Sequence, residues 1–309
     1  MQKYINKYYI IHTFVFFILA LCSINIVAQQ FRDISKKIKI DNCKYFITYN
    51  HKYIIDTIKK NTKYDKQALE IGYNISHYYS LYADIVDSVW HNASNKSGKP
   101  NKDGSDGINP YKEAGLQQNE FPKYEDYYIN YPEKGTLKVV IAIFYKDFVY
   151  EEPIPKFEWK LQADTTTILG YKCIKATTTF RGRDYEVWFT PFIPIRQGPW
   201  KFSGLPGLIL KAKDTKGYFE WLATGIEKPD NRKIYAYNFD KNEMQKTIRQ
   251  DIIILLHQRW KDPIGLTFAL NPNIQSSGYK DGKTGKFVFV NRGDKVNYQQ
   301  PYIPIPELE

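Results

Sequence analysis

The sequence predicts a mainly β (α+β) protein in which an antiparallel meander forms a curved, incompletely closed barrel with helices packed on one side. Three observations support this prediction. Runs of alternating aromatic and β-branched residues recur along the chain. Short turns separate many of these runs, and short turns can join only antiparallel strands. Two segments have apolar residues at helical spacing, and such a helix needs a sheet face to cover its apolar stripe.

The first half of the chain contains the earliest of these elements. Lys44–Tyr49 (KYFITY) alternates and predicts a strand, and Leu69–Gly72 and Tyr78–Ser80 predict short strands around a turn. Tyr82–Trp90 has apolar residues at helical spacing and predicts a helix. Residues 92–109 are rich in Asn, Ser, Gly, Lys and Asp and predict a surface loop, because the spacing and closing Glu of a calcium loop are absent.

From Leu137 onward the pattern predicts strand after strand. Gly182 and Gly217 mark the turns of two hairpins, because glycine accepts backbone conformations that other residues resist. The predicted strands are Leu137–Tyr145, Phe157–Leu161, Tyr171–Phe180, Asp184–Thr190, Leu208–Lys213 and Tyr218–Thr224.

The pattern changes beyond Pro229. Asp240 and Glu243 have the spacing of a capping box, and apolar residues at helical spacing follow until Asp262-Pro263 ends the run. A strand is predicted between Gly285 and Asn291. We therefore predict one β-rich domain over residues 30–309, with 229–309 as a helix-plus-strand extension.

The first 28 residues have the pattern of a secretory signal peptide. Lys3 and Lys7 precede an apolar run over residues 9–21, and Ala28 is a small residue before a polar start. The run is short for a membrane-spanning helix, which needs ~20 apolar residues. We expect export to the periplasm or cell envelope, including association with the outer membrane, and peripheral membrane contact at most. Lipidation at Cys22 is the alternative, although the bulky Leu21 precedes it.

Charge and cysteine content limit the classes of partner. The net charge of +11 falls to +9 without Lys3 and Lys7, but the lysines are scattered and form no nucleic-acid-binding stripe. We expect no nucleic-acid partner. Cys43 and Cys173 remain after cleavage, and in an oxidising compartment they form either one disulfide or two buried free thiols.

Catalytic and metal-binding motifs are missing from the sequence. The five histidines form no HExxH or other zinc spacing, and no GxSxG, P-loop or dinucleotide fingerprint occurs. We therefore predict no catalytic residue, no metal and no cofactor. Hydrolase activity stays open as a lesser alternative, because catalytic groups can converge from distant parts of a chain. The histidines are His12, His51, His77, His91 and His257.

One hexamer carries a family resemblance. Gly198–Ile209 contains GLPGLI, and the chain resembles the GLPGLI family of bacterial envelope proteins, with Ile168–Thr190 and Ile193–Ile195 similar to the family's core. That family has no established reaction, so the resemblance implies no catalytic residues. The strand–GLPGL–strand pattern is also similar to the unclosed barrels of periplasmic lipoprotein carriers. This similarity implies an apolar concavity, although fold alone does not fix function.

The hexamer also has a physical interpretation. Its glycines and proline permit an abrupt corner, which is either packed between two strands or a lip for a ligand. With the nearby aromatic residues, the lip would bind a lipid or a hydrophobic peptide without catalysis. The alternative is an accessory subunit of an outer-membrane transport or secretion assembly with an envelope-protein partner. The predicted binding residues are Gly204, Leu205, Pro206, Gly207, Leu208, Ile209, Trp188, Trp200, Phe202 and Trp221.

Overall fold

The structure is a computed structural model. It describes residues 37–96, 109–144, 146–239, 244–280, 287–294 and 304–307. The strands are β1 (Lys37–Asn42), β2 (Tyr45–Asp56), β3 (Asn61–Ile71), β4 (Ser76–Ser80), β5 (Glu125–Ile129), β6 (Thr136–Ile143), β7 (Lys146–Pro153), β8 (Lys160–Ile168), β9 (Tyr171–Phe180), β10 (Arg183–Thr190), β11 (Leu208–Asp214), β12 (Phe219–Glu227), β13 (Lys233–Tyr237), β14 (Gln245–Lys246), β15 (Ser276–Lys280) and β16 (Phe287–Asn291). The helices are α1 (Leu81–Lys96), α2 (Pro110–Glu113), α3 (Arg249–Lys261) and α4 (Pro263–Leu270).

Twelve strands form one strongly curved sheet. Their order is β14-β7-β6-β5-β4-β3-β2-β12-β11-β10-β9-β8, and every pairing is antiparallel except β14 with β7. Although β7 and β9 are nine places apart in this order, Glu152 on β7 lies 2.6 Å from Arg181 after β9. Within the described residues, the edge strands β14 and β8 do not pair with each other. The predicted mainly β fold class, with a curved and incompletely closed sheet, is confirmed.

The two faces of the sheet have different covers. On the core face, alternate residues such as Leu69, Val139 and Phe189 form the main hydrophobic cluster. On the opposite face, here called the outer face, Ala68 and Val140 pack beneath the two-stranded ribbon of β1 and β13. The long helix α3 packs on the core face. The polar site described below lies on the outer face.

The predicted hairpins are confirmed. β9 pairs with β10 and β11 with β12 in antiparallel register. Gly182 and Gly217 have φ of 76° and 70°, the left-handed region that glycine occupies at low cost. The predicted helix at 82–90 is present as the longer α1, and residues 97–108 of the predicted loop lie outside the described residues.

The start of the second predicted helix was wrong. Asp240 and Glu243 lie outside the described residues, and α3 begins at Arg249, after Gln245–Lys246 has paired with β7 as a strand. Met244 packs against the outer-face cluster, whereas Ile252 belongs to the core cluster. The chain must therefore pass the sheet edge before it can form a helix over the core. The predicted stop at Asp262-Pro263 is where α3 ends.

The disulfide alternative for Cys43 and Cys173 was also wrong. Both are buried free thiols. Cys43 precedes β2 and belongs to an outer-face cluster, whereas Cys173 on β9 belongs to the core cluster. Three strands separate β2 from β9 in the sheet, so the two sulfur atoms are too far apart to bond.

The predicted signal peptide and Cys22 lie outside the described residues. Among the residues described, no helix has both the length and the apolar character needed to span a bilayer. The domain boundaries proposed from the sequence stay predictions.

Candidate functional site

Strand pairing places a buried glutamate beside a buried histidine on the outer face. Glu70 on β3 lies directly opposite His77 on β4, and His77 lies opposite Tyr128 on β5. Directly opposite side chains on one face of an antiparallel pair are close enough to interact. Each of these three residues is at most 4% exposed. The register of three neighbouring strands therefore assembles the row.

Aromatic rings cover both faces of His77, and carboxylates lie near both of its nitrogens. Its ring stacks on Tyr128 and Tyr79, with centroids 4.2 Å and 4.4 Å apart. Its Nε2 lies 3.0 Å from Oδ1 of Asp126, and its Nδ1 lies 3.7 Å from Oε2 of Glu70. Any rotation of the ring would break several of these contacts at once. The orientation of His77 is therefore fixed.

Arg232, which immediately precedes β13, holds Glu70 from the other side. Its Nε donates to Oε1 of Glu70 at 2.6 Å, and its Nη2 donates to the hydroxyl of Tyr79 at 3.2 Å. The guanidinium also lies 3.8 Å from the ring centroid of Phe46, which pairs with Glu70 across β2 and β3. Arginine favours this combination of a planar ring contact and hydrogen bonds to a carboxylate.

These contacts determine the charges of the site. Burial by itself would lower the pKa of His77, but the hydrogen bonds and charges of Asp126 and Glu70 outweigh it and hold the pKa above its usual value of 6.5. Burial would raise the pKa of Glu70, but His77 and Arg232 outweigh it and hold the pKa below its usual value of 4.5. Glu70 is therefore ionised at neutral pH.

A polar cavity of about 340 Å³ opens beside this cluster. Glu70 and Arg232 form one ion pair in its wall, and Asp84 of α1 forms a second with Lys37 of β1 at 2.7 Å. Four charged side chains of the wall are therefore already paired, and the wall suits a ligand that can both donate and accept hydrogen bonds. It is lined by Lys37, Glu70, His77, Tyr79, Asp84, Asn231, Arg232, Lys233 and Tyr235.

The arrangement suits acid–base chemistry on a polar ligand. The ionised carboxylate of Glu70 can accept a proton. His77 lies beside Glu70 and is itself held by Asp126, in the way that a further group orients a catalytic residue. In the part of the chain that the structure describes, no group of three or more His, Cys, Asp or Glu side chains is arranged to hold a metal ion.

The binding residues predicted from the hexamer lie elsewhere, on the core face, and they are packed. A Cβ on Gly207 would lie 2.1 Å from the backbone oxygen of Thr190, and Gly204 has φ of +99°. Leu205 is 2% exposed, while Leu208 and Ile209 are fully buried, and Pro206 lies exposed at the corner. The hexamer therefore forms a tight corner between strands.

The structure brings three of the four predicted aromatic residues together. Trp200, Phe202 and Trp221 pack with ring centroids 5.0–6.1 Å apart in the core. Trp188 is half-buried, and lysine side chains from β9 and β11 lie over its ring. Ligand binding by these residues stays a prediction.

Sequence reasoning missed the outer-face site. Asp126 and Arg232 lie far from Glu70 and His77 in the sequence, the four residues match no motif, and His77 has no zinc spacing. A weak signal existed, because Glu70 lies between the apolar Leu69 and Ile71, and Asp126 is followed directly by Tyr127, Tyr128 and Ile129. A buried carboxylate needs a partner, and such a residue can therefore mark a site.

Comparison with known proteins gives one family match. A family model described as the N-terminal domain of an N-glycanase matches residues 112–250, which is less than half of the chain. That range includes Asp126 and Arg232 but not Glu70 or His77. No curated protein matches the sequence.

Two solved structures of PNGF-II are similar to the chain. The structure in space group P21 has a TM-score of 0.43 and 16% identity, and the structure in C2 has a TM-score of 0.42 and 16% identity. Each alignment covers 72% of this chain and 34% of the other. The chain thus spans about a third of the length of these proteins.

The family match overturns the resemblance to the GLPGLI family and to lipoprotein carriers. The hexamer satisfies a backbone requirement, close approach at Gly207 and a positive φ at Gly204, which unrelated sheets can share. A short motif of this kind therefore indicates a tight backbone corner and does not by itself identify a protein family.

The prediction of a non-enzymatic binder of lipid or hydrophobic peptide was wrong as well, because the family match favours the hydrolase alternative. Two cavities on the core face measure about 60 and 30 Å³, whereas small-molecule pockets are typically ~300–1,000 Å³. Core side chains fill the space that an acyl chain would need. The predictions about location, membrane contact, nucleic acid and protein partners stay predictions.

Proposed function

We propose that this chain acts in the hydrolysis of asparagine-linked glycans and that the outer-face cavity binds the sugar. The observation that supports this most is the ionised carboxylate of Glu70, held by Arg232 and His77 in the wall of a polar cavity. The match to an N-glycanase N-terminal domain, which includes Arg232 and Asp126, supports the same class of ligand.

The cavity has the chemistry that sugar hydroxyls require. Each hydroxyl both donates and accepts, and the wall supplies carboxylate acceptors, guanidinium donors and an amide that does both. Tyr79 and Tyr235 add rings whose apolar surface can contact the carbon skeleton of a sugar. Glu70 is paired with Arg232 and Asp84 with Lys37, so these four side chains require no charge from the ligand.

The proposed reaction is hydrolysis of the amide that links the glycan to asparagine. Glu70 takes a proton from water as the oxygen of that water bonds to the carbonyl carbon. The carbon–nitrogen bond then breaks, and the same proton passes to the leaving nitrogen. Arg232 contacts described residues through Nε and Nη2, so Nη1 can stabilise the negative charge that develops on the carbonyl oxygen.

The test is glycan release from a denatured glycoprotein, measured by mass spectrometry of the freed glycan and of the former asparagine. We expect release by the wild type and a loss of at least ~100-fold for Glu70→Gln, since removal of a general base costs about 10²–10⁴ in rate. Glu151→Gln is the matched control. Like Glu70, Glu151 pairs with a cation, Lys138 at 2.9 Å, but it lies outside the cavity. Equal release by wild type and Glu70→Gln would refute the catalytic role.

A second candidate function is glycan recognition without cleavage. It is favoured by the description of the matched family as an N-terminal domain, because an N-terminal domain is only one part of an N-glycanase. In that case calorimetry would detect glycan binding that Glu70→Gln weakens, while neither protein releases glycan. Absence of both binding and release would remove both candidates.

A further inference from the structure

The core face carries a second buried ion cluster, which the proposed function does not use. It contains three cations and two carboxylates, here called the interior ion cluster: Lys201, Arg181, Arg249, Glu152 and Glu307. The side chains of Lys201 and Glu307 are 1% and 8% exposed. Few charges in proteins are buried this deeply unless each has a partner.

Segment 304–307 supplies one of the two carboxylates. Glu307 accepts from Lys201 and Arg181, and Nη1 of Arg249 donates to it at 3.0 Å. Glu152 of β7 accepts from Lys201 at 2.7 Å and from Arg181 at 2.6 Å. If Glu307 left the cluster, three cations would face a single carboxylate. Burial of two uncompensated positive charges is costly, so this position requires an anionic group.

Two further side chains hold the backbone of the segment. Nη2 of Arg183 donates to the carbonyl of Ile305 at 2.7 Å, and the hydroxyl of Tyr185 donates to the carbonyl of Pro306 at 2.6 Å. Ile305 is 7% exposed and reaches into the small core-face cavities. The segment is thus bound as an extended peptide ligand is bound, through its carbonyls, one apolar side chain and one carboxylate.

The attachment depends on side chains alone. Within the described residues, no backbone–backbone hydrogen bond joins 304–307 to the sheet. The prolines at 304 and 306 lack N–H groups, so the bound segment leaves few donors unsatisfied. A segment held in this way can leave without breaking a strand pairing.

We propose that the interior ion cluster is a binding site for an acidic, proline-containing peptide, and that segment 304–307 is its exchangeable intramolecular ligand. A peptide of the same chemistry competes with the segment for Lys201, Arg181 and Arg249. The site lies on the face opposite to Glu70 and is independent of the proposed glycan chemistry.

The test uses two fluorescent peptides, PYIPIPELE from residues 301–309 and PYIPIPQLE, with the full chain and its Glu307→Ala variant. The acidic peptide should bind the variant at least tenfold more tightly than it binds the wild type, where the chain's own segment competes. It should also bind the variant at least tenfold more tightly than the glutamine peptide does. Adding Arg249→Met to the variant should weaken its binding of the acidic peptide at least threefold.

Equal affinity of the two peptides, or binding that Arg249→Met leaves unchanged, would overturn the proposal. If Glu307→Ala does not fold, native mass spectrometry of the wild type with excess peptide gives the same comparison. An adduct with the acidic peptide alone supports the site. Adducts with both peptides or with neither overturn it.

Discussion

Replacement of His77 by glutamine tests the electrostatics of the outer-face site directly. The substitution removes the positive charge between Asp126 and Glu70, at 3.0 and 3.7 Å, and the stacking on two tyrosine rings. Loss of one partner from a buried ion pair typically costs ~3–5 kcal/mol. We expect His77→Gln to lose about 3–5 kcal/mol of unfolding free energy at pH 6, a large part of the ~5–15 kcal/mol that stabilises a typical protein.

The pH dependence of this loss has a definite sign. The folded-state pKa of His77 lies above the unfolded value of 6.5, so its contribution to stability is complete below pH 6.5 and declines as the pH rises through the folded pKa. The difference between wild type and His77→Gln should therefore shrink over that range. His257→Gln is the matched control, because His257 is half-buried on α3 outside the cavity.

The assay is urea denaturation at a series of pH values, with the pKa of His77 read separately from NMR of its ring. Two results would refute the reasoning. One is an NMR pKa below 6.5 in the folded protein. The other is a stability difference that stays constant across the pH at which NMR detects loss of the His77 proton.

Three further predictions concern other parts of the fold. Gly207→Ala should lose about 1–3 kcal/mol of unfolding free energy in urea, because its Cβ meets the Thr190 oxygen at 2.1 Å, and a loss below ~0.5 would contradict the packed corner. Burial raises the pKa of Asp65 from 3.8 to about 7, so between pH 3.8 and 7 the unfolded state binds fewer protons than the folded state. The unfolding free energy should therefore fall as the pH rises through this range. Asp65→Asn should lack this pH dependence, and the same pH dependence in both proteins would exclude Asp65 as its source. Burial also raises the pKa of Cys43 and Cys173 to about 11, so peptide mapping should find both alkylated only after unfolding without reductant, and absence of labelling then would indicate a disulfide.

The hairpins could be predicted from the sequence because their signals are local. Alternating residues set the strand, and Gly182 and Gly217 supply the positive φ that each turn needs. The ribbon could not be predicted in this way. Its strands pair Lys37 with Tyr237, 200 residues apart in a chain of 309, and both strands are short, with 6 and 5 residues. Such pairing depends on the outer face that the ribbon covers.

The candidate site could not be predicted either, because it depends on how the strands and the ribbon assemble. Glu70 and His77 face each other only because β3 and β4 pair in one register, and a shift of one residue between these strands would put the two side chains on opposite faces. Arg232 reaches them only because the ribbon crosses the outer face. The carboxylates of Glu70 and Asp126 and the guanidinium of Arg232 are visible in the sequence, but only the assembled sheet brings them close together.

The two buried ion clusters differ in a way that separates ligand recognition from packing. The outer cluster is complete without any ligand, because His77 balances Asp126 and Arg232 balances Glu70, and a cavity of about 340 Å³ remains beside it. The interior cluster has only Glu152 against three cations until Glu307 is inserted, and little space remains around it. A ligand of the outer site can therefore bind by hydrogen bonds without displacing any protein group. A ligand of the interior site must first replace the charge that the chain itself supplies.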